Sequence, residues 1–249
     1  TIINLMLGLE KADSGRIRVL DQQPGTLAMR RAVGVTPQNT DFPEGLKVKE
    51  ILAFVAAHYP QPLSIATAIK QFSLTDIADS RANGLSYGQK RRLAVALAFM
   101  GQPKLIFLDE PTTGLDVQSR HALWQIIQNY IAQGGSMVLT THYLEEAQKL
   151  ASRVLFLDQG QIRSDGTVAE ILANSGHPQV IFTAPSCPSN LSHAINIKQV
   201  GHQYHIETDN SDALIRQLVQ ADVAFEHLSI QQNSLETAFL NLNQQEANV

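Results

Sequence analysis

The chain of 249 residues is poor in cysteine, tryptophan and aromatic residues generally, with one Cys, one Trp and 6% Phe, Trp and Tyr together. Cys187 has no possible intrachain partner, so an intrachain disulfide is excluded and a reducing compartment fits best; the residue reads as a small apolar side chain. There is no basic excess either, since 19 Lys and Arg face 23 Asp and Glu for a net charge of −4. That balance argues against nucleic acid as a partner, because such affinity leans on clustered Lys and Arg. The longest apolar runs, residues 93–100 and 51–57, fall well short of the roughly 20 residues that span a bilayer, so a membrane served by this chain is expected to be crossed by another one. Residues 1–9 carry no charged lead-in and no cleavage pattern, and a start at Thr1 reads as a truncation and not as a targeting signal. Repeats and low-complexity tracts are absent, and no G-x-x-x-x-G-K-[ST] string occurs.

What is present is an ordinary folded composition, 44% hydrophobic and 17% charged. Three short apolar runs, residues 31–35, 105–108 and 137–140, are each followed by a turn or a helical stretch. Continuous apolar runs of that length suit strands buried on both faces, as in a parallel sheet covered by helices. The expected class is α/β, with chemistry at the carboxyl ends of those strands. Between the first two runs an insertion of about 45–101 reads as a helical subdomain, with helices at 48–58 and 91–100. A helix at 143–152, a hairpin at 154–162 and a helix at 167–174 follow. Residues 175–178, Ser-Gly-His-Pro, read as a linker. The expected division is therefore a first domain of 1–176 and a small α+β domain of 177–249. Its strands are expected at 180–183, 194–200, 204–208 and 224–230, around a helix at 212–219. A last helix is expected after Asn233, with Asn233 and Glu236 as N-cap and N3 residues.

The chemistry concentrates at Leu105-Ile106-Phe107-Leu108-Asp109-Glu110, an apolar strand ending in two carboxylates. Side chains alternate along an extended chain, so the two acids serve different purposes. Asp109 at the tip suits a hydrated Mg²⁺, which is bound by one or two carboxylates plus phosphate oxygens. Glu110 is then free to orient and deprotonate a water. Pro111-Thr112-Thr113-Gly114-Leu115-Asp116 follows directly. Upstream, Leu85-Ser86-Tyr87-Gly88-Gln89 opens a helix, and Ser86 with Gln89 makes an S-x-x-Q capping box whose backbone N–H groups can face a phosphate.

These motifs, in this order, resemble the nucleotide-binding domains of the ATP-binding cassette (ABC) transporter family. The likeness spans residues 1–174. Gln38 in Val35-Thr36-Pro37-Gln38 resembles the Q-loop glutamine, residues 85–89 the signature motif, and residues 105–110 the Walker B strand. Gly114-Leu115-Asp116 resembles the D-loop, and His142 the switch histidine. The resemblance implies a P-loop NTPase-like domain, with a mostly parallel sheet flanked by helices, that binds and hydrolyses ATP with Mg²⁺. It implies Glu110 and His142 as catalytic residues and Asp109 and Gln38 at the metal. It also implies Thr1, Gln38, Ser86, Gly88, Gln89 and Asp116 at the nucleotide, with Thr1 just past the Mg²⁺-binding hydroxyl of a Walker A motif inside which the chain begins. Tyr87 departs from the pattern, standing where the family has a second glycine.

The resemblance further implies two partners, a separate transmembrane permease subunit and a second ATP-binding subunit in a homodimer or heterodimer, and a cytoplasmic place at the inner face of the membrane. Residues 38–43 with the helical insertion would receive the permease. Ser234-Leu235-Glu236-Thr237-Ala238-Phe239-Leu240 resembles the C-terminal domain of a subset of exporters. Without a P-loop among these residues, the chain alone is expected to be inactive. A catalytically dead or regulatory cassette subunit and a soluble cassette ATPase outside transport stay open as alternatives.

Overall fold

The structure, a computed structural model, describes residues 1–37, 41–188 and 190–246, with side chains through residue 240. The chain divides into two compact units, Thr1–His142 and Tyr143–Val249.

In the first unit, α1 (Ile2–Leu7) and α2 (Leu27–Ala32) precede β1 (Val33–Thr36). Helices α3 (Val48–Ala56), α4 (Ile65–Gln71) and α5 (Tyr87–Phe99) follow, then β2 (Leu105–Asp109), α6 (Val117–Ala132) and β3 (Ser136–Thr140). The three strands lie in the order β1-β2-β3, all parallel, with Gly34 paired to Ile106 and Phe107 to Val138. The three expected apolar runs are these strands, each shifted by no more than two residues. Central β2 is continuously apolar because both of its faces are covered, and Ile106, Phe107 and Leu108 are buried. On one face Val33 and Phe107 pack with Ile3 and Leu7 of α1, Val19 and Met29. On the other face α5 approaches so closely that a Cβ at Gly34 would collide with the carbonyl oxygen of Ala98. Only glycine leaves room there, and the contact seats α5 flat on β1. The expected insertion is helical as read, but α5 begins at Tyr87, four residues before the expected start, because the capping box at Ser86 sets its first turn.

In the second unit, α7 (Leu144–Leu150) leads to a hairpin of β4 (Arg153–Asp158) and β5 (Gln161–Thr167), then α8 (Val168–Ala173). The hairpin turn places Gln159 and Gly160 at φ 47° and 79°, the two-residue geometry that matches strand twist. Strands β6 (Gln179–Thr183), β7 (Ala194–Val200), β8 (Gln203–Thr208) and, after α9 (Ser211–Gln220), β9 (Glu226–Gln231) form an antiparallel sheet ordered β7-β8-β6-β9. Alternate residues Val180, Phe182, Tyr204 and Ile206 face Leu214 and Leu218 of α9 to make its core. Residues 179–231 are thus an antiparallel sheet with one packed helix.

The last helix, α10 (Leu235–Glu246), returns to the start of the unit. Leu235 and Ala238 are buried with Ala147, Val154, Phe156 and Ile171, and the rings of Phe156 and Phe239 lie 5.5 Å apart. Residues 143–173 and the terminal helix thus share a core, and the compact division falls after His142, ahead of the 176/177 boundary read from sequence. Asn233 does not cap α10. Its amide donates instead to the carbonyls of Leu172 (3.3 Å) and Gly176 (2.6 Å), pinning the expected linker, while the Ser234 hydroxyl accepts the N–H of Thr237 at 3.2 Å.

Candidate nucleotide site

The two carboxylates stand at the carboxyl end of β2, where the chain leaves the sheet. Glu110 has φ 49°, a left-handed conformation uncommon for a non-glycine residue, and several hydrogen bonds hold it there. The Glu110 N–H donates to the carbonyl of Thr140 at 3.0 Å and reaches the Thr140 hydroxyl at 3.1 Å. The same hydroxyl donates to Oδ1 of Asp109. Thr113 closes the turn from the other side, its N–H 3.3 Å from the Glu110 carbonyl and its hydroxyl donating to Glu110 Oε2 at 3.2 Å. The Glu110 side chain is 27% exposed, and Nδ1 of His142 lies 3.5 Å from its Oε2. The sheet therefore brings together Asp109, Glu110 and His142, which the sequence had singled out, through Thr140 and Thr113, which it had not.

The donor chemistry at this end suits a magnesium ion. Among the described residues no group of three or more His, Cys, Asp or Glu could hold a metal by itself. Mg²⁺ does not need such a cage, since it keeps several waters and takes its remaining ligands from one or two carboxylates and substrate phosphates. Asp109, with one oxygen fixed by Thr140, provides such a carboxylate.

The capping box at α5 has the expected form. Ser86 N–H donates to Gln89 Oε1 at 2.8 Å, and Gln89 N–H donates to Ser86 Oγ at 3.3 Å. The first turn is open to solvent, with Tyr87 54% exposed. Its ring lies against Gly114, and a Cβ at Gly88 would stand 3.3 Å from the Gly114 carbonyl oxygen, so residues 86–89 and 114–116 are neighbours. Asp116 caps α6, accepting the N–H of Ser119 and its hydroxyl, each at 2.8 Å. The Ser119 backbone N–H, and then its hydroxyl, hold the Asp116 carboxyl below the usual carboxylate range. Thr1 stands at the N-cap of α1 and makes no side-chain capping bond to it. Gln38 lies outside the described residues.

Arg91 is the residue that motif reading overlooked. It is 4% exposed, and its guanidinium donates to the carbonyls of Pro37 (2.6 Å), Pro111 (3.4 Å) and Asp109. A signal was available. Along α5, Arg91 keeps helical phase with Ala94, Val95 and Ala98, all buried, so a charged residue stands on the apolar face.

Residues 1–113 match the family model described as ABC transporter. The chain is 33% identical over 198 residues to the Nod factor export ATP-binding protein I of a Rhizobium species, covering 77% of this chain and 65% of that protein. It is also 33% identical over 181 residues to the protein of the same name from Paraburkholderia xenovorans, covering 70% and 60%. The chain thus spans less than two thirds of the length of these relatives. Among solved structures, an ATP-binding subunit of an ABC transporter superposes with a TM-score of 0.63 at 26% identity, over 69% of this chain and 75% of that one. A dimeric ATP-binding cassette in a post-hydrolysis state with ADP and Pi shares the fold, with a TM-score of 0.59 at 21% identity over 67% and 78% of the two chains. In sequence and in fold, the chain is thus similar to ATP-binding subunits of ABC transporters.

Proposed function

We propose that the protein to which this chain belongs hydrolyses MgATP and passes the energy to a separate membrane-spanning permease, in the export direction. The observation that carries the reading is the carboxyl end of β2. There Asp109 and Glu110 are adjacent but differently held, and His142 lies 3.5 Å from Glu110. Bound at Asp109, Mg²⁺ would neutralise charge on the phosphates. Glu110 takes the proton of the attacking water, and His142 holds that water and the terminal phosphate in line. Phosphoryl transfer asks mainly for positioning and charge stabilisation, which such a distributed set supplies. Ser86, Gly88 and Gln89 would close over the nucleotide of a second ATP-binding subunit, with Asp116 at the same junction. The phosphate-gripping string is not among these 249 residues, so a polypeptide of these residues alone is proposed to be inactive.

Export is supported by the relatives named as export ATP-binding proteins. A permease contact is supported by an apolar cavity of about 450 Å³ in the first unit, lined by Leu9, Met29, Arg30, Val55, Tyr59 and Leu97. No helix among the described residues is long and apolar enough to cross a membrane, so the reading puts the chain at the inner membrane face through that contact. The antiparallel sheet and α9, residues 179–231, would form the accessory domain in this reading, with α10 packed on residues 143–173.

The test is Glu110→Gln in the full-length protein carrying its phosphate-binding loop. Loss of the base lowers turnover by at least about 100-fold while ATP binding persists. Near-normal phosphate release would remove Glu110 from the chemistry.

A further inference from the structure

We propose that Arg91 is a positioning residue that fixes the backbone on both sides of Glu110 and locks it to the helix beginning at the Ser86 cap. The inference rests on the catalytic reading above for its consequence and on geometry for its substance.

The three carbonyls that Arg91 grips are not scattered. Asp109 and Pro111 flank Glu110, and Pro37 directly follows β1. Asp109 is the last residue of β2, and Pro37 and Pro111 lie just past the ends of their strands. Carbonyls at such points need a donor wherever water cannot reach them. One planar guanidinium, with five donors in a fixed fork, can serve them together, whereas a lysine offers a single rotating point charge. The backbone it grips includes a glutamate at φ 49°, which must be held from more than one side. Thr140 and Thr113 hold Glu110 from the β3 side and from the following turn, and Arg91 holds it from α5. One turn further along α5, the Thr36 hydroxyl donates to the Ala94 carbonyl at 3.3 Å, so the helix cannot slide along β1 without breaking this second tie. Arg91 thereby makes the capped start of α5 and the carboxylate turn parts of one rigid body.

The experiment compares Arg91→Lys with wild type in the full-length protein. Lysine keeps the charge and much of the stem and loses the fork. The expected result is a urea midpoint close to wild type and amide exchange at Glu110 and Thr113 at least about 10-fold faster, with exchange in α9 unchanged. Turnover falls about 10- to 100-fold, as a misplacement of about an ångström produces, while KM for MgATP stays within about threefold. A merely structural arginine would lower the midpoint and accelerate exchange throughout the first unit, leaving turnover per folded molecule intact. That outcome, or unchanged exchange at Glu110, overturns the proposal. If Arg91→Lys unfolds, Arg91→Gln, which keeps two donors, is measured in the same way. Should wild type fail to hydrolyse ATP, the catalytic reading is lost, and exchange at Glu110 still decides whether Arg91 holds the turn.

Discussion

The N–H of Glu110 and the carbonyl of Thr140 are 3.0 Å apart, so the residue after the carboxylate strand is anchored to the last residue of β3, two positions before His142. The bond joins two strand ends that are 30 residues apart in sequence, and the Thr140 side chain reinforces it on both carboxylate residues.

Thr140→Val keeps the shape and the backbone bond but deletes the hydroxyl. Asp109 then loses a hydrogen bond to a charged group, for which a loss of about 1.5–3 kcal/mol is expected. Urea unfolding should report it, and Thr140→Ser should restore most of it. A valine variant as stable as wild type would mean that water replaces the hydroxyl at no cost.

Gly34→Ala forces a methyl group against the Ala98 carbonyl, where backbone and not a flexible side chain blocks it. Either α5 lifts from β1 or the strand shifts. Overpacking of this kind is expected to lower stability by about 1–3 kcal/mol. An unchanged urea midpoint would show that α5 and β1 leave room for a methyl group at position 34.

Asp116 supplies a pH dependence whose direction follows from its capping bonds. Its carboxyl is held below the ordinary value, first by the Ser119 N–H and then by the Ser119 hydroxyl. A depressed carboxyl contributes stability above its unfolded value, near pH 4, and loses it as pH falls through the folded value. Asp116→Asn still caps the helix but cannot titrate. The stability gap in favour of wild type should shrink as pH falls from 6 towards 2, measured by urea unfolding at each pH, and a gap that stays constant would remove Asp116 as its source.

Asn233→Ala deletes both bonds that hold residues 172–176 against the approach to α10. Two bonds of ordinary strength predict a loss of about 1–3 kcal/mol. Limited proteolysis is the direct readout, with faster cutting expected at residues 174–178. Unchanged cutting would mean that the buried contacts of Leu235 and Ala238 hold the segment unaided.

What the sequence by itself determined is what depends on near neighbours and on period. The apolar run at 105–108 had to be a strand covered on both faces, and Ser86 with Gln89 had to cap a helix, because their partners lie within three residues. The Gln159-Gly160 turn was legible for the same reason. Tertiary structure decided the rest. No local rule puts a glutamate before a proline at positive φ. Glu110 adopts it because donors and acceptors from Thr140, Thr113 and Arg91 converge on that turn. Asn233 matched a capping pattern and was drawn away by carbonyls 57 and 61 residues distant. α10 left residues 177–231 because its apolar face fits Phe156 and Ala147, and a Gln148 side chain accepts the N–H of Leu235 across 87 residues. Spacing encodes bonds that close within a turn, while a buried arginine on an apolar helix face acquires its three carbonyls only when separate strand ends meet.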